Sequence, residues 1–267
     1  MRSIHLAMPL FVVSACTSRE STDGPEGPRL IRLVASDLRF AAPDTIRAGL
    51  TRLRLVNDGR VWHEALITRL PNGATVETYL AGARAGDAFP VSAVDVGGPG
   101  QIAAGDSSEV VLDLTPGRYA IVCWSDNHVK EGMIVPLVVS ATEAVSAAAL
   151  PTAVAEVKLE EYRFTHTAPF RNGPQVVHVK NVGQRPHNLQ LYRLDQGKTL
   201  RDFGAWFATR QGAPPAVPVG GISTMAPNTE GWMHLDLEPG RYFIACGTLE
   251  DGKIHAQLGM IEEFAVP

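Results

Sequence analysis

Residues 112–133 read LDLTPGRYAIVCWSDNHVKEGM, and this stretch indicates the fold of the whole chain. An alternating segment leads into a Pro-Gly turn, and an apolar run then ends at a Cys, a pattern typical of two β-strands joined by a tight turn. Residues 235–246, LDLEPGRYFIAC, repeat the pattern. In both copies a His and a Met follow the Cys: Cys123, His128 and Met133 in the first copy, and Cys246, His255 and Met260 in the second.

The repeat extends over most of the chain in a nearly constant register. The matching segments lie 123 or 124 residues apart and are 38–40 with 162–164, 57–59 with 181–183, 63–70 with 187–194, 97–98 with 220–221, and 112–123 with 235–246. Such an offset, held across the chain, indicates a duplicated domain. We predict unit 1 at residues 29–141 and unit 2 at residues 154–267, joined by a small-residue linker at 142–153.

Both units are predicted to be rich in β-strands. The chain has 25 Gly and 19 Pro in 267 residues and only 7% aromatic residues, a mixture typical of short strands joined by turns. Thr75–Ala85 and Thr199–Thr209 break this pattern and are predicted as helices. The predicted strands are 53–56, 109–114, 118–123 and 135–139 in unit 1, and 176–179, 232–237, 241–246 and 261–266 in unit 2. The expected fold is all-β, two tandem Greek-key β-sandwiches that each carry a short helical insertion.

The N-terminus resembles a bacterial lipoprotein signal. Residues 1–15 contain an early Arg, a short apolar run and small residues before Cys16, and the run is too short to span a bilayer. We expect cleavage before Cys16 and acylation of its thiol, with an ordinary signal peptide as the alternative. Residues 16–28 are polar and rich in Gly and Pro, which predicts a flexible tether. Export and anchoring to lipid on the periplasmic side of a bacterial membrane are expected, and Thr17 favours the outer membrane.

Each unit also has a second His upstream of its Cys. Two imidazoles and a thiolate, with a weak thioether as the fourth ligand, suit copper that cycles between two oxidation states. Soft sulfur favours Cu(I), and imidazole serves both states. The candidate metal ligands are His63, Cys123, His128 and Met133 in unit 1, and His187, Cys246, His255 and Met260 in unit 2.

Each unit resembles a cupredoxin, the blue-copper fold, in its upstream His and in the Cys, His and Met of its C-terminal loop. The resemblance implies two cupredoxin-like sandwiches, up to two copper ions with one held by each ligand set, and single-electron transfer. Two features depart from the family pattern. Cupredoxins usually have an Asn after the upstream His, where it ties two loops together; unit 2 has Asn188, but unit 1 has Glu64. Unit 2 also has a longer loop between Cys246 and His255.

The same residues allow other interpretations. Cys, His and Met also serve packing and hydrogen bonding in a metal-free β-sandwich, which would act as a binding or structural module of the cell envelope. A disulfide between Cys123 and Cys246 is a further alternative, because export would permit it. Copper storage or delivery without redox duty would use the same ligands. Trp124 either shields a metal from water or belongs to the core.

No catalytic constellation is evident, so we expect an electron carrier or copper-binding protein, not an enzyme. The chain lacks the His-x-His and Cys-His pairs with which nitrite reductases and multicopper oxidases build further copper centres, and it lacks common hydrolase motifs. The net charge of −4 gives no electrostatic case for nucleic acid. Acidic residues near the ligand loops would favour a basic redox or copper-exchange protein of unknown identity; they are Asp126, Glu131, Glu250 and Asp251.

Overall fold

The structure is a computed structural model that describes residues 27–87, 90–141 and 148–267. The predicted signal peptide at 1–15, Cys16 and the tether as far as residue 26 lie outside the described residues, as do residues 142–147 of the predicted linker. None of the described helices has the length and apolar character needed to cross a membrane. All the candidate metal ligands lie within the described part of the chain.

Unit 1 contains two sheets and one helix. Its strands are β1 (Arg29–Ser36), β2 (Arg39–Ala41), β3 (Thr45–Arg47), β4 (Gly49–Asn57), β5 (Leu66–Arg69), β6 (Val94–Asp95), β7 (Ser107–Leu114), β8 (Gly117–Val122) and β9 (Ile134–Ser140). Helix α1 is Val76–Ala85, and 3-10 turns cover Pro90–Ser92 and Ser125–Glu131. One sheet has the order β2-β1-β4-β7 and the other β3-β9-β8-β5-β6. The chain therefore passes repeatedly between two sheets.

Unit 2 repeats this arrangement. Its strands are β10 (Ala155–Glu160), β11 (Arg163–His166), β12 (Gly173–Asn181), β13 (His187–Leu194), β14 (Ala216–Met225), β15 (Glu230–Leu237), β16 (Gly240–Ala245), β17 (Leu249–Glu250), β18 (Lys253–Ile254) and β19 (Ile261–Val266). Helix α2 is Leu200–Thr209, and a 3-10 turn covers His255–Leu258. Its two larger sheets have the orders β11-β10-β12-β15 and β14-β13-β16-β19.

The predicted all-β fold with two sandwiches and two helical insertions is confirmed. Each predicted strand coincides with an observed strand to within one residue or lies inside it. The predicted helices start one residue early, because Thr75 and Thr199 are N-caps. The Thr75 hydroxyl accepts from the Thr78 N–H, and the Thr199 hydroxyl accepts from the Asp202 N–H. Each cap is a reciprocal capping box, which satisfies donors that the first helical turn would leave free.

The two units are joined through their main chains. β15 of unit 2 pairs with β7 of unit 1, so that two four-stranded sheets form one sheet of eight strands. Residues 96–102 of unit 1 also bond along β14 of unit 2. The Gly97 N–H donates to the Thr224 carbonyl at 2.9 Å, and the Ser223 N–H donates to the Gly98 carbonyl at 2.8 Å. The units are therefore continuous in the structure, an arrangement that the repeat did not predict.

The repeated Gly-Gly pair has a steric cause. A Cβ on Gly98 would lie 2.1 Å from the Ala65 carbonyl oxygen, and a Cβ on Gly221 would lie 2.0 Å from the Leu189 carbonyl oxygen. Gly98 has φ +139° and Gly221 has φ +120°, values that only glycine adopts without strain. Ala65 and Leu189 each stand two residues after an upstream His. The Gly-Gly pair thus packs directly against the segment that carries the His.

One hydrophobic cluster contains fully buried residues of both units, such as Leu53 and Val177. The sulfur-bearing candidates Cys123, Met133, Cys246 and Met260 belong to the same cluster. Smaller clusters pack beneath α1 and α2. The candidate sulfur ligands therefore lie inside the core.

Candidate metal centres

Strand pairing brings the candidate ligands of each unit together. In unit 1, Cys123 directly follows β8, His128 lies in the next 3-10 turn, and Met133 directly precedes β9. β8 and β9 are antiparallel neighbours, so the loop between them folds back on itself. His63 lies just before β5, which pairs with the other side of β8. All four residues therefore meet at one end of this sheet.

Site 1 consists of His63, Cys123, His128 and Met133. The Cys123 Sγ lies 3.7 Å from the His63 Nδ1 and 3.5 Å from the His128 Nδ1. One ligand atom from each of these three residues lies within 4.8 Å of the others. His63 and Cys123 are fully buried, and His128 is 7% exposed. The group is almost closed to solvent.

Site 2 consists of His187, Cys246, His255 and Met260. The Cys246 Sγ lies 3.9 Å from the His187 Nδ1 and 3.5 Å from the His255 Nδ1, and the two Nδ1 atoms are 3.0 Å apart. These three atoms again lie within 4.8 Å of one another, and all three residues are buried. Both units therefore turn one Sγ and two Nδ1 atoms toward each other.

The two methionines are fully buried beside these groups. The Cys123 N–H donates to the Met133 carbonyl at 3.2 Å, and the Met133 N–H donates to the His128 carbonyl at 3.1 Å. The equivalent bonds in unit 2 are both 3.0 Å. The main chain thus holds each Met next to its Cys and His, and a thioether bond to a metal stays a prediction.

Burial determines the charge of the ligand groups. It lowers the pKa of His63 to about 4, with a further lowering by His128 and an opposing effect of Asp37. Burial, followed by His255, lowers the pKa of His187 to about 4. Burial raises the pKa of the Cys123 thiol to about 12 and raises that of the Cys246 thiol. Metal binding at neutral pH must therefore displace a proton from each thiol but none from these two imidazoles.

A carboxylate faces the far side of each upstream imidazole. The Asp37 Oδ1 lies 3.9 Å from the His63 Nε2, and the Glu161 Oε1 lies 4.0 Å from the His187 Nε2. Both Nε2 atoms are buried without a hydrogen-bond partner among the described residues. This pair was not predicted from the sequence, although Asp37 and Glu161 lie 124 residues apart, directly before the LRF and YRF segments.

These carboxylates are fixed by their own neighbours. The Arg60 main-chain N–H and its Nε donate to Asp37 at 2.8 and 3.0 Å, and the Gln184 N–H donates to Glu161. The hydrogen bonds to Arg60 lower the pKa of Asp37, and the bond from Gln184 lowers the pKa of Glu161. Both groups are therefore anionic at neutral pH.

Asn188 ties two loops in site 2, as the resemblance implies. Its side-chain Oδ1 accepts from the Gly247 N–H at 2.8 Å, and its main-chain N–H donates to the Cys246 Sγ at 3.3 Å. In site 1, the main-chain N–H of Trp124 lowers the pKa of the Glu64 carboxyl. Glu64 therefore faces the loop that follows Cys123, as Asn188 faces the loop that follows Cys246.

Glu64 also reaches across to unit 2. Its carboxyl accepts from the Gln190 Nε2 at 3.0 Å and from the Ser223 hydroxyl at 2.8 Å. Glu64 is buried, which raises its pKa, while these hydrogen bonds act in the opposite direction. The side chain that departs from the family pattern thus connects site 1 with the second unit.

The longer loop of unit 2 leaves the ligand group intact. Its additional residues form the β17–β18 hairpin, and the distance from Cys to the downstream His is 3.5 Å in both sites. Glu250 of this hairpin lies 3.2 Å from the His255 Nε2. The carboxylate of Glu250 also pairs with Arg185 and accepts from the Tyr162 hydroxyl at 2.8 Å. The insertion therefore covers the outer nitrogen of His255.

The disulfide alternative is wrong, because Cys123 and Cys246 are both free and each faces the imidazoles of its own unit.

Trp124 packs with the hydrophobic cluster beneath α1, and its indole N–H donates to the Tyr79 hydroxyl at 3.2 Å. Asp126, one of the loop acids, lies 3.6 Å from the Arg210 guanidinium of unit 2.

The residues present fit copper. Two imidazole nitrogens, one thiol sulfur and an adjacent Met, all shielded from water, form the donor set of a redox-active copper site. The Nε2 atoms of His63 and His187 have no hydrogen-bond partner among the described residues and lie on the side of each ring away from the sulfur. Nδ1 is therefore the nitrogen that faces a metal ion. Each unit can therefore hold one copper ion, two in the whole chain.

No protein-family model and no curated protein matches the sequence. Solved structures do match. Auracyanin A, a "blue" copper protein from Chloroflexus aurantiacus, is 20% identical and covers 43% of this chain and 100% of its own, with a TM-score of 0.33. An auracyanin from Roseiflexus castenholzii is 16% identical and covers 43% of this chain and 99% of its own, with a TM-score of 0.30.

A blue copper oxidase from Nitrosomonas europaea is 14% identical and covers 89% of this chain and 85% of its own, with a TM-score of 0.27. The auracyanins therefore match a length close to that of one unit, and the oxidase matches a length close to that of both. At these TM-scores the fold assignment rests on the strand order described above. The solved structures similar to this chain include cupredoxins, multicopper oxidases and a copper-containing nitrite reductase. The chain itself contains two His-Cys-His groups, each beside a Met.

Proposed function

We propose that the protein binds one copper ion in each unit and carries single electrons. The observation that carries this proposal is the pair of buried His-Cys-His groups. Each unit brings together one thiol sulfur and two imidazole nitrogens. This donor set, with a weakly bound thioether, is typical of electron-transfer copper sites. Bound copper would supply a one-electron couple between Cu(I) and Cu(II).

The chain would hold the ligands in place and exclude water. His63, Cys123 and Met133 in site 1, and all four ligands of site 2, are at most 1% exposed. The hydrogen bond from Gly247 to Asn188 fixes the loop that follows Cys246, and the carboxyl of Glu64 faces the loop that follows Cys123. A ligand set fixed in this way needs little rearrangement when the charge of a bound ion changes. Met133 and Met260 are proposed as the weak fourth ligands.

Visible absorption during a Cu(II) titration tests this proposal. We expect an intense thiolate-to-copper band that saturates. Each of the variants Cys123→Ser and Cys246→Ser should lose the part of this absorbance that one site contributes. A tight, colourless Cu(I) complex without such a band would instead indicate storage or delivery. A chain that retains no copper would be a metal-free binding or structural module.

We further propose that the protein is a carrier and not an oxidase or reductase, although copper enzymes are among the similar structures. The lack of His-x-His and Cys-His pairs in the sequence supports this assignment. The copper-loaded chain should consume neither oxygen nor nitrite when a reductant is supplied. Its partner is proposed to be another redox or copper-exchange protein.

Export and lipid anchoring are proposed from residues 1–16, which lie outside the described residues. In a bacterial host the chain should incorporate labelled fatty acid and fractionate with membranes. The variant Cys16→Ser should lose both the label and the membrane association. An unchanged label would contradict lipidation at this residue.

A further inference from the structure

A cavity of about 580 Å³ lies between the two units. Its wall includes Trp62, Glu64 and Asp95 from unit 1 and Tyr192 and Phe203 from unit 2. This volume is within the range of about 300 to 1,000 Å³ that is usual for small-molecule sites. None of these five residues belongs to either ligand set, although the sulfur ligand Cys246 of site 2 also contributes to the wall. The cavity therefore reaches site 2 and extends beyond it to side chains that bind no metal.

Two buried carboxyls line the interior of the cavity. Glu64 and Asp95 are both 8% exposed, and no basic side chain of the described residues contributes to the pKa of either. Glu64 already accepts hydrogen bonds from Gln190 and Ser223. Asp95 has fewer donors, and burial raises its pKa to about 7, an effect that the Glu64 charge increases. Asp95 is therefore the carboxyl with most to gain from a cation.

Aromatic rings line the same cavity as these carboxyls. Trp62 from unit 1 packs against Tyr192 of unit 2 with a centroid distance of 6.3 Å, and Tyr192 packs against Phe203 at 5.2 Å. Aromatic faces attract cations through the ring quadrupole, most strongly where water is excluded. The walls therefore suit a ligand that has a positive charge and an apolar body.

The rim of the cavity already holds a cation in this way. The Arg210 guanidinium carbon lies 4.6 Å from the centroid of the Trp206 ring and 4.3 Å from that of Phe207. A guanidinium nitrogen of Arg210 lies 3.6 Å from Asp126 of unit 1. Aromatic rings of unit 2 and a carboxylate of unit 1 thus combine around one positive group. Arg210 itself lines the cavity, but no basic side chain of the described residues contributes to the pKa of Asp95.

We propose that the cavity between the units binds a small organic ammonium ion, with its charge against Asp95 and its apolar part among Trp62, Tyr192 and Phe203. The residues that would hold the ammonium ion are not copper ligands, although Cys246 lines the same cavity. A cation would stabilise the ionised form of Asp95, and a neutral ligand of the same shape would not.

Two probes of nearly equal shape test the proposal: 2-phenylethylammonium and the neutral 2-phenylethanol. Titration calorimetry on the full chain should show at least about tenfold tighter binding of the ammonium ion, a typical effect of one charge-assisted interaction. Asp95→Asn should reduce this preference to less than about threefold. Asp113→Asn, at an exposed position of β7 outside the cavity, should retain it.

A second measurement does not require a variant. In NMR spectra the ammonium probe should shift the indole N–H signals of Trp62 and Trp124, which line the cavity. Equal affinity for the two probes, no binding of either, or binding without these shifts would overturn the proposal. A preference that survives in Asp95→Asn would also overturn it.

Discussion

The imidazoles of His63 and His187 each present Nδ1 to a thiol and Nε2 to a carboxylate. Partners on the second nitrogen of a metal-bound His fix its tautomer and orientation and increase its basicity. Asp37 and Glu161 stand in this position, and both remain anionic because their neighbours donate to them. The duplication preserves a carboxylate in both units, although one is Asp and the other is Glu.

We expect Asp37→Asn and Glu161→Gln each to weaken Cu(II) binding at the site of its own unit by about tenfold. The loss of a negative charge should also raise the reduction potential of that site, because Cu(II) carries more positive charge than Cu(I). Competition titration and spectroelectrochemistry would measure both effects. Asp113→Asn, at an exposed position of β7, is the matched control. Unchanged affinity and potential in Asp37→Asn would contradict the assigned role.

Asp95 should make the stability of the fold depend on pH. Burial raises its pKa from 3.8 to about 7, so between these values the folded chain holds a proton that the unfolded chain has lost. Stability therefore decreases as the pH rises through this window. The variant Asp95→Asn has no carboxyl to ionise at this position. Its free energy of unfolding relative to that of the wild type should therefore rise by up to about 4 kcal/mol from low to high pH.

Urea unfolding of both proteins at about pH 5 and pH 8 should record about 3 kcal/mol of this difference, because part of the window lies below pH 5. The lowered pKa values of His63 and His187 act in the opposite direction, with stability lost as the pH falls below about 6.5. This effect is present in both proteins and cancels. If the free energies of unfolding of the wild type and Asp95→Asn changed with pH in the same way, Asp95 would have an ordinary pKa in the folded chain. That result would contradict the prediction.

Among the elements, the strands and helices were largely predictable from sequence. The Pro-Gly turns placed the adjoining ends of β7, β8, β15 and β16 to within one residue of the prediction, because turn chemistry is local. Thr75 and Thr199 marked the helix starts for the same reason. The role of the Gly-Gly pair was not predictable, because its cause is a carbonyl that is close in space but distant in sequence.

Substitution at the Gly-Gly pair should be severe. Gly98→Ala and Gly221→Ala would each drive a Cβ to about 2 Å from a carbonyl oxygen, and we expect a loss of more than about 3 kcal/mol of unfolding free energy. Gly105 also has a positive φ, but nothing lies within 4 Å of its Cβ position. Gly105→Ala should cost only the backbone term of about 1–2 kcal/mol. Equal losses at all three positions in urea unfolding would rule out the close contact as the cause.

At the level of the whole molecule, the repeat predicted two units but not their fusion. The pairing of β15 with β7 and the bonds between residues 96–102 and β14 are long-range contacts, and alternating strands carry no signal for which edge they pair with. Glu64 appeared only as a departure from a family pattern. Its bonds to Gln190 and Ser223 show that the departure serves the contact between the units.

The fused sheets should make unfolding cooperative across both units. Leu159 is fully buried in β10 of unit 2, and Leu159→Ala should cost about 2–5 kcal/mol. Because the units share a sheet and a core, hydrogen exchange in β4 of unit 1 should accelerate in this variant. Calorimetry should show one transition in the wild type. Two transitions, with β4 unaffected by Leu159→Ala, would mean that the units unfold independently.

The central claim is that each unit holds one copper ion through its own thiolate. Copper content per chain, measured by mass spectrometry after loading and desalting, tests it most directly. The wild type should retain two ions, Cys123→Ser and Cys246→Ser one each, and the double variant none. Wild-type copper content that is unchanged in the double variant, or no retained copper in the folded wild type, would contradict the claim.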